Sequence, residues 1–329
     1  MKAPTNRFLI AITLFSIIMY GCSKTTDLNS SGNLQSGSIT ATGSHIYGLL
    51  PMTPDQYANV PLFSKEAFQS KLGLKALTVA PPKYSIQCPP VRDQGQIGSC
   101  TAFCGAETDE ILQYYKSGSP GTSWLNLSPA FVYYCERVLI LKQKITVDNG
   151  AYMVNIPQAL HSYGDCPEGD YPYPTNGSNK STAYKTAPSS TATSDAIPYE
   201  TGPTYGQVNQ GDVAGAKLLI ANNTPVMMGF NVYDTSAYTL FEGLNTKNFV
   251  YNPLTSTGTL VKGASLLGGH ATPLIGYDDN YLGTGVGAFL VQNSWGTSWG
   301  NKGYFYIPYS VFQSTKIVPT GNLYYATLH

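Results

Sequence analysis

The sequence predicts an α+β fold with its helices in the first half and its strands in the second. Three observations predict it. Between Ser99 and Ala221, apolar residues recur at helical spacing in several segments. From Val226 onward the apolar stretches shorten to four to seven residues and carry Val, Ile, Phe and Tyr, as strands do. The chain has 329 residues, 42% hydrophobic and only 12% charged, enough to build a core of domain size. Helices first and strands later imply two segregated halves. With 19 Lys+Arg against 19 Asp+Glu, net charge is zero, which excludes a strongly basic nucleic-acid binder and an acidic solvating tail. The 25 Tyr, 33 Gly and 22 Pro predict long loops and amphipathic aromatic surfaces rather than disorder.

Taken in order, residues 1–21 read as an export signal. Lys2 and Arg7 precede an apolar run of 13 residues, Phe8 to Tyr20, too short to span a bilayer. Gly21-Cys22 at its end resembles the cleavage and lipidation site of bacterial lipoproteins. Cys22 would then be the lipidated first residue, with Ser23 after it favouring the outer membrane. A plain secretory signal with an incidental cysteine is the alternative. Without Lys2 and Arg7, 17 cationic residues face 19 anionic ones. Residues 22–48 are rich in Ser, Thr, Gly and Asn and predict a flexible tether. Residues 49–83 hold two short apolar patches, Val60 to Phe63 and Leu72 to Leu74, and read as an N-terminal extension or a short pro-segment. The main domain is expected over 84–329.

Within it, Ser99 caps a helix to about Lys116. Ser128-Pro129 opens a second, reaching about Lys142, with Pro in the first turn. Tyr152 to Tyr163 is a third, stopped by Gly164, and Val213 to Ala221 a fourth. Val226–Val232, Ala271–Tyr277, Gly287–Gln292 and Tyr304–Ile307 are expected strands. Residues 175–206, rich in Ser, Thr, Gly and Pro, read as a surface insertion.

The strongest chemical signal is Asp93-Gln94-Gly95-Gln96-Ile97-Gly98-Ser99-Cys100. A Cys in the first turn of a helix faces unpaired backbone N–H groups and the positive end of the helix dipole, which favour thiolate. The Gln94 amide lies in the Gly-punctuated loop before it and can donate to a developing oxyanion. A thiol nucleophile needs a base. Of four His, His45 falls in the tether, His329 is terminal and His161 is an ordinary helix residue. That leaves His270, in Gly268-Gly269-His270-Ala271 at the start of a strand, to hold and return the proton. Asn293 follows the next strand and can accept the imidazole N–H, with Trp295 covering that bond. No Cys or His pair has zinc spacing, and no phosphate-binding Gly loop is present, so no metal or cofactor is expected.

These pieces, in this order, resemble the papain-like cysteine peptidase family. The matches are Gln94 to Phe103, His270-Ala271 through Gly276-Tyr277, and Asn293-Ser294-Trp295-Gly296 through Trp299-Gly300 and Gly303-Tyr304. Leu127-Ser128, Asn149-Gly150 and Tyr171-Pro172-Tyr173 fall between them. The resemblance spans roughly residues 84–310. It implies a two-lobed fold, helical then β-barrel-like, with the cleft between. It implies Cys100 as nucleophile, His270 as general acid/base, Asn293 as orienter and Gln94 as oxyanion donor, supported by Trp295 and Ser99. Asn149, Gly150, Ala151 and Gly269 would bind the substrate. Thr101 stands where the family has Trp, Ala151 where it has a second Gly, Ile97 where it has a disulfide cysteine, and Pro129 where it often has an acid. Cys135 matches a family disulfide position, but its usual partner position is Lys180. Cys88 and Cys166, each before a Pro, are the candidate pair.

The resulting expectation is an exported thiol peptidase acting on peptides or proteins, held at the bacterial cell envelope by lipid on Cys22. The alternatives are an inactive papain-like binding module and a transglutaminase-type acyl transferase using the same triad.

Overall fold

The computed structural model describes residues 40–42, 45–72, 77–116, 120–174, 183–202, 205–236, 239–244 and 248–328. The expected signal, Cys22, most of the tether, Lys180 and His329 lie outside them.

The helical half is built on α2 (Cys100–Tyr114), after the short elements β1 (Thr40–Thr42), β2 (His45–Tyr47), α1 (Lys65–Leu72) and β3 (Lys83–Ser85). Every α2 residue from Cys100 to Leu112 is buried, because the helix is enclosed by protein on all sides rather than on one stripe. Gly105 permits its close approach to α4: a Cβ there would lie 2.9 Å from Ile156 Cγ2. α3 (Pro129–Tyr134) starts as expected, with Ser128 Oγ accepting the Phe131 N–H at 3.1 Å and Pro129 in the first turn. It continues as a π-helical turn, Cys135–Ile140. α4 (Asn155–Tyr163) ends at Gly164, whose φ of 67° lies in the left-handed region that glycine adopts freely. The expected surface insertion contains α5 (Ser190–Ala196) and ends in β4 (Tyr205–Gln207).

The second half is α6 (Val213–Ala221), β5 (Val226–Thr235), β6 (Ala264–Asp278), β7 (Ala288–Gln292), β8 (Tyr304–Pro308), α7 (Tyr309–Phe312) and β9 (Leu323–Ala326). These strands form a seven-stranded sheet in the order β4-β9-β5-β6-β7-β8, with β3 also pairing with β6 and all pairings antiparallel. β5 and β6 are longer than their apolar stretches because their ends pair with each other across a bulge at Val232/Tyr233.

Two apolar cores result. One, under the sheet, includes Phe230, Phe241, Phe289, Phe305 and Phe312. The other, around α2, includes Phe103, Phe131, Ile156 and Leu160. Each fully buried Phe contributes about 2–3 kcal/mol of transfer free energy. This is the expected α+β division into two lobes. α2 lies against β6, and their contact brings the start of α2 beside Ala271, the residue after His270 on the strand.

The N-terminal extension is keyed into the fold. Phe63 N–H donates to Gln207 O at 2.7 Å, and Gln207 N–H returns a bond to Pro61 O at 2.8 Å. Phe68, 2% exposed, packs edge-on against Phe63 and Tyr325. Upstream, residues 45–50 run across the cleft as an extended strap.

Candidate active site

Cys100 is the first residue of α2 and is fully buried. Backbone amides of Gly48, Ala271 and Thr101 lie beside its sulfur and favour the thiolate. Burial nevertheless pushes the thiol up to about 11, because the strap excludes the water that would solvate a thiolate. His270, on β6, is also fully buried. Its Nε2 meets Asn293 Oδ1 at 2.7 Å, while Nδ1 has no hydrogen-bond partner among the described residues. Burial pushes the imidazole down to about 4, against the smaller opposing pull of Asn293. Thiol and imidazole are therefore both neutral in this closed arrangement over the ordinary pH range.

Asn293 is held by its backbone, its N–H donating to Gly303 O at 2.8 Å, and its Oδ1 also accepts the Ser294 N–H at 2.9 Å. This fixes the amide oxygen toward the imidazole. Trp295 tilts over His270 with ring centroids 5.2 Å apart, inside an aromatic group completed by Phe241 and Trp299. Gln94 is 1% exposed. Ser294 Oγ donates to its Oε1 at 2.7 Å, which turns its Nε2 inward. That Nε2 donates to Ile46 O at 3.0 Å and Ile97 O at 3.1 Å. Ser99 makes no side-chain cap at the start of α2; its hydroxyl pairs instead with Tyr173 Oη at 2.7 Å. Tyr173 Oη also donates to Gln94 O at 2.8 Å, so Ser99 does brace the Gln94 loop, by a different bond from the expected cap.

The strap uses the groups that sequence reasoning assigned to substrate. Ala151 N–H donates to Gly48 O at 3.0 Å, and Leu50 N–H to Ala151 O at 2.9 Å. Leu49 N–H donates to Gly269 O at 3.1 Å. Gly150, with φ 71°, turns the chain into this pairing, while Asn149 is exposed beside it. Gly268 and Gly269 let the strap through: a Cβ on either would lie 2.6 Å from Tyr47 Cβ or Leu49 O. Gly48 passes closest, where an added Cβ would sit 1.9 Å from Gly98 O. Tyr47 stands edge-on to His270, and His45 stacks on Trp295 at 4.5 Å while bonding Asp93 at 2.9 Å.

Over residues 81–320 the chain matches the family described as papain family cysteine protease. The chain belongs to that family. Among curated proteins, it is 29% identical over 227 residues to an uncharacterized peptidase C1-like protein of Acanthamoeba polyphaga mimivirus, covering 66% of this chain and 63% of that protein. Cysteine proteinase 3 of Entamoeba histolytica is 27% identical over 220 residues, covering 66% of this chain and 58% of that protein. The aligned part thus spans about three fifths of those relatives. Among solved structures, xylellain, a cysteine protease from Xylella fastidiosa, is 26% identical with a TM-score of 0.68, covering 90% of this chain and 99% of that one.

Several features set this papain-family member apart. Thr101 Oγ1 donates to Glu136 Oε2 at 2.7 Å behind the nucleophile, and burial raises the Glu136 carboxyl to about 8. Ile97 is 1% exposed in the helical core. The expected Cys88–Cys166 disulfide is not formed, and both thiols are free, as are Cys100, Cys104 and Cys135. The reason is placement: Cys88 packs on the sheet-side core and Cys166 lies in the helical core. His161 bonds Thr201 O at 3.3 Å, away from the cleft. Among the described residues, no group of three or more His, Cys, Asp or Glu is arranged to hold a metal ion. Sequence reasoning missed Ile46, Tyr47, Gly48 and Leu49 in the cleft. The signal was the apolar run from Ile46 to Leu50, which interrupts the Ser/Gly-rich stretch.

Proposed function

We propose that the chain is a thiol-dependent peptidase whose cleft is closed by its own residues 45–50. The observation that carries the reading is the His270–Asn293 bond of 2.7 Å, with His270 Nδ1 unpartnered among the described residues, on the strand that touches Cys100. With the strap displaced, an extended peptide pairs with the N–H and C=O of Ala151 and the C=O of Gly269. His270 takes the Cys100 proton as the sulfur attacks the peptide carbonyl. Gln94 Nε2 donates to the oxygen as it becomes negative. His270, oriented by Asn293, then protonates the leaving amine and later removes a proton from the water that resolves the acyl-enzyme.

The strap occupies the groups this chemistry uses: Gln94 Nε2 holds the Ile46 carbonyl, and the Gly48 amide lies beside the sulfur. Residues 1–21 are read as an export signal and Cys22 as the lipidated residue, placing the protein at the cell envelope, most simply the outer membrane. Cys22→Ala is expected to move it from the membrane fraction to the soluble one.

The test is alkylation with iodoacetamide, mapped by peptide mass, in the full chain, in Gly48→Val and in Gly48→Val/His270→Ala. Selective labelling of Cys100 in Gly48→Val, lost with His270, together with peptide hydrolysis, supports the reading. Labelling at an ordinary thiol rate, indifferent to His270 and without hydrolysis, identifies a cleft that binds without turnover.

A further inference from the structure

Outside the Cys100–His270–Asn293 set, a chain of hydrogen bonds joins the nucleophile's loop to the peptide-pairing segment. Gly98, just before Ser99 and Cys100, donates its N–H to both carboxylate oxygens of Asp148, at 3.2 and 3.1 Å. Tyr133, from α3, donates its hydroxyl to Asp148 Oδ1. The same hydroxyl oxygen accepts the Gly150 N–H at 3.1 Å. Gly150 precedes Ala151, the residue whose backbone pairs with the strap. Gly98 and Asp148 are 50 residues apart in sequence, so nothing local sets this distance.

Asp148 is half-buried, and the donors that meet it are buried and braced. Tyr133 is 1% exposed, and the Arg137 guanidinium lies 4.3 Å over its ring. Arg137 is itself fully buried and donates to Val147 O, next to Asp148, and to Tyr184 O at 3.0 Å. A surface ion pair could be lost without consequence, but the Gly98, Gly150 and Tyr133 donors are buried and lose their partner at a cost.

We propose that Asp148 and Tyr133 are positioning residues. They hold the Gln94–Cys100 loop and the Gly150–Ala151 segment at a fixed separation, so that a peptide paired with Ala151 presents its carbonyl to Cys100 and Gln94. Asp148 acts on the loop and Tyr133 on the pairing segment, which gives the two residues different kinetic signatures. The proposal rests on the peptidase reading above.

The experiment compares Asp148→Ala, Asp148→Asn and Tyr133→Phe, each in the full-length chain and in the Gly48→Val background that frees the cleft. Rates are expressed per active site titrated with an irreversible thiol inhibitor, so that misfolded protein does not count. Asp148→Ala is expected to lower kcat by about tenfold with KM nearly unchanged, because a displaced oxyanion loop fails only as the transition state forms. It also weakens a peptide aldehyde, which draws on the oxyanion donors, about tenfold more than the matching peptide alcohol. Tyr133→Phe is expected to raise KM about fivefold at nearly constant kcat, by freeing the Gly150 N–H. Asp148→Asn, whose amide oxygen still accepts from Gly98, is expected within about threefold of the parent.

The proposal is overturned if the titrated kcat and KM are those of the parent, if aldehyde and alcohol weaken equally, or if Asn is no better than Ala. A parent that hydrolyses nothing in either background and shows no activated Cys100 removes the peptidase reading and this proposal with it. Loss of activity that follows only the titrated fraction or the melting temperature shows a purely structural role and also overturns it.

Discussion

Ser294 shows how a single hydroxyl sets the use of another residue. Its donation to Gln94 Oε1 at 2.7 Å leaves the Gln94 nitrogen facing the cleft; without it the amide is free to turn its oxygen inward, toward the developing negative charge. Ser294→Ala is therefore expected to lower kcat by roughly three- to tenfold with little change in KM, and Gln94→Ala by about a hundredfold. Steady-state kinetics on one peptide substrate check both, and equal losses in kcat and 1/KM would argue for a binding role instead. Cys100, His270, Asn293 and Gln94 were legible in the sequence because each sits in a local pattern that its backbone requires: a helix start, a glycine-flanked strand, a strand end, a glycine-punctuated loop. Ser294 was visible only as part of the Asn293 motif. Asp148 and Tyr133 carry no such pattern. Their partners are backbone N–H groups of Gly98 and Gly150, and a backbone donor leaves no trace in residue identity.

At the scale of elements, the strap governs the chemistry by governing water. Its Gly48 has no room for a side chain, since a Cβ would lie 1.9 Å from Gly98 O. Gly48→Val is thus expected to unseat residues 45–50 and rehydrate the dyad. Iodoacetamide should then label Cys100 at pH 7 at least about tenfold faster than in the parent, because the thiolate fraction grows as the thiol falls from its buried value. In the parent, labelling should climb only toward pH 11, following a thiol raised to about 11. Equal rates in the two proteins would show that the strap does not control access. The helices and strands were largely legible: Val213–Ala221 appears with the expected bounds, and β6 contains the expected Ala271–Tyr277. The strap was not. Its residues gain their structure from Ala151, Gly269 and Gln94, more than forty positions away, and not from local propensity.

For the whole molecule, the buried acids decide how stability follows pH. Glu107, Asp109 and Asp165 each keep one buried oxygen without a partner among the described residues, and so does Glu136. Burial raises all four carboxyls, Asp109 and Glu136 to about 8. Unfolded, these groups release their protons near pH 4. Between about pH 4 and 8 the folded chain therefore binds more protons than the unfolded one, and stability falls as pH rises. His270 works in the opposite sense, over the window from about 6.5 down to about 4, because the unfolded chain takes a proton there that the folded one refuses. Four groups outweigh one. The melting temperature is expected to be higher at pH 5.5 than at pH 8.5, and Glu136→Gln is expected to flatten that slope. Calorimetry across this range checks it, and a melting temperature that rises toward pH 8.5 would show these acids to be ionised in the fold. None of this was readable from a balanced composition of 19 cationic and 19 anionic residues, because burial and not charge count sets it.

The anchoring of Phe63 and Phe68 at the sheet edge, downstream of the strap, has a kinetic meaning. The leash between them, residues 51–60, is itself seated, with a 3-10 turn at Pro54–Gln56 and Met52, Tyr57 and Val60 packed on the helical core, so a displaced strap remains at an effective concentration of about millimolar beside the cleft. Every incoming peptide then competes with a neighbour that never diffuses away, and its apparent affinity is divided by the fraction of time the cleft stands open. A single cut in the leash would end that competition while leaving Phe63, Phe68 and the sheet edge they complete in place.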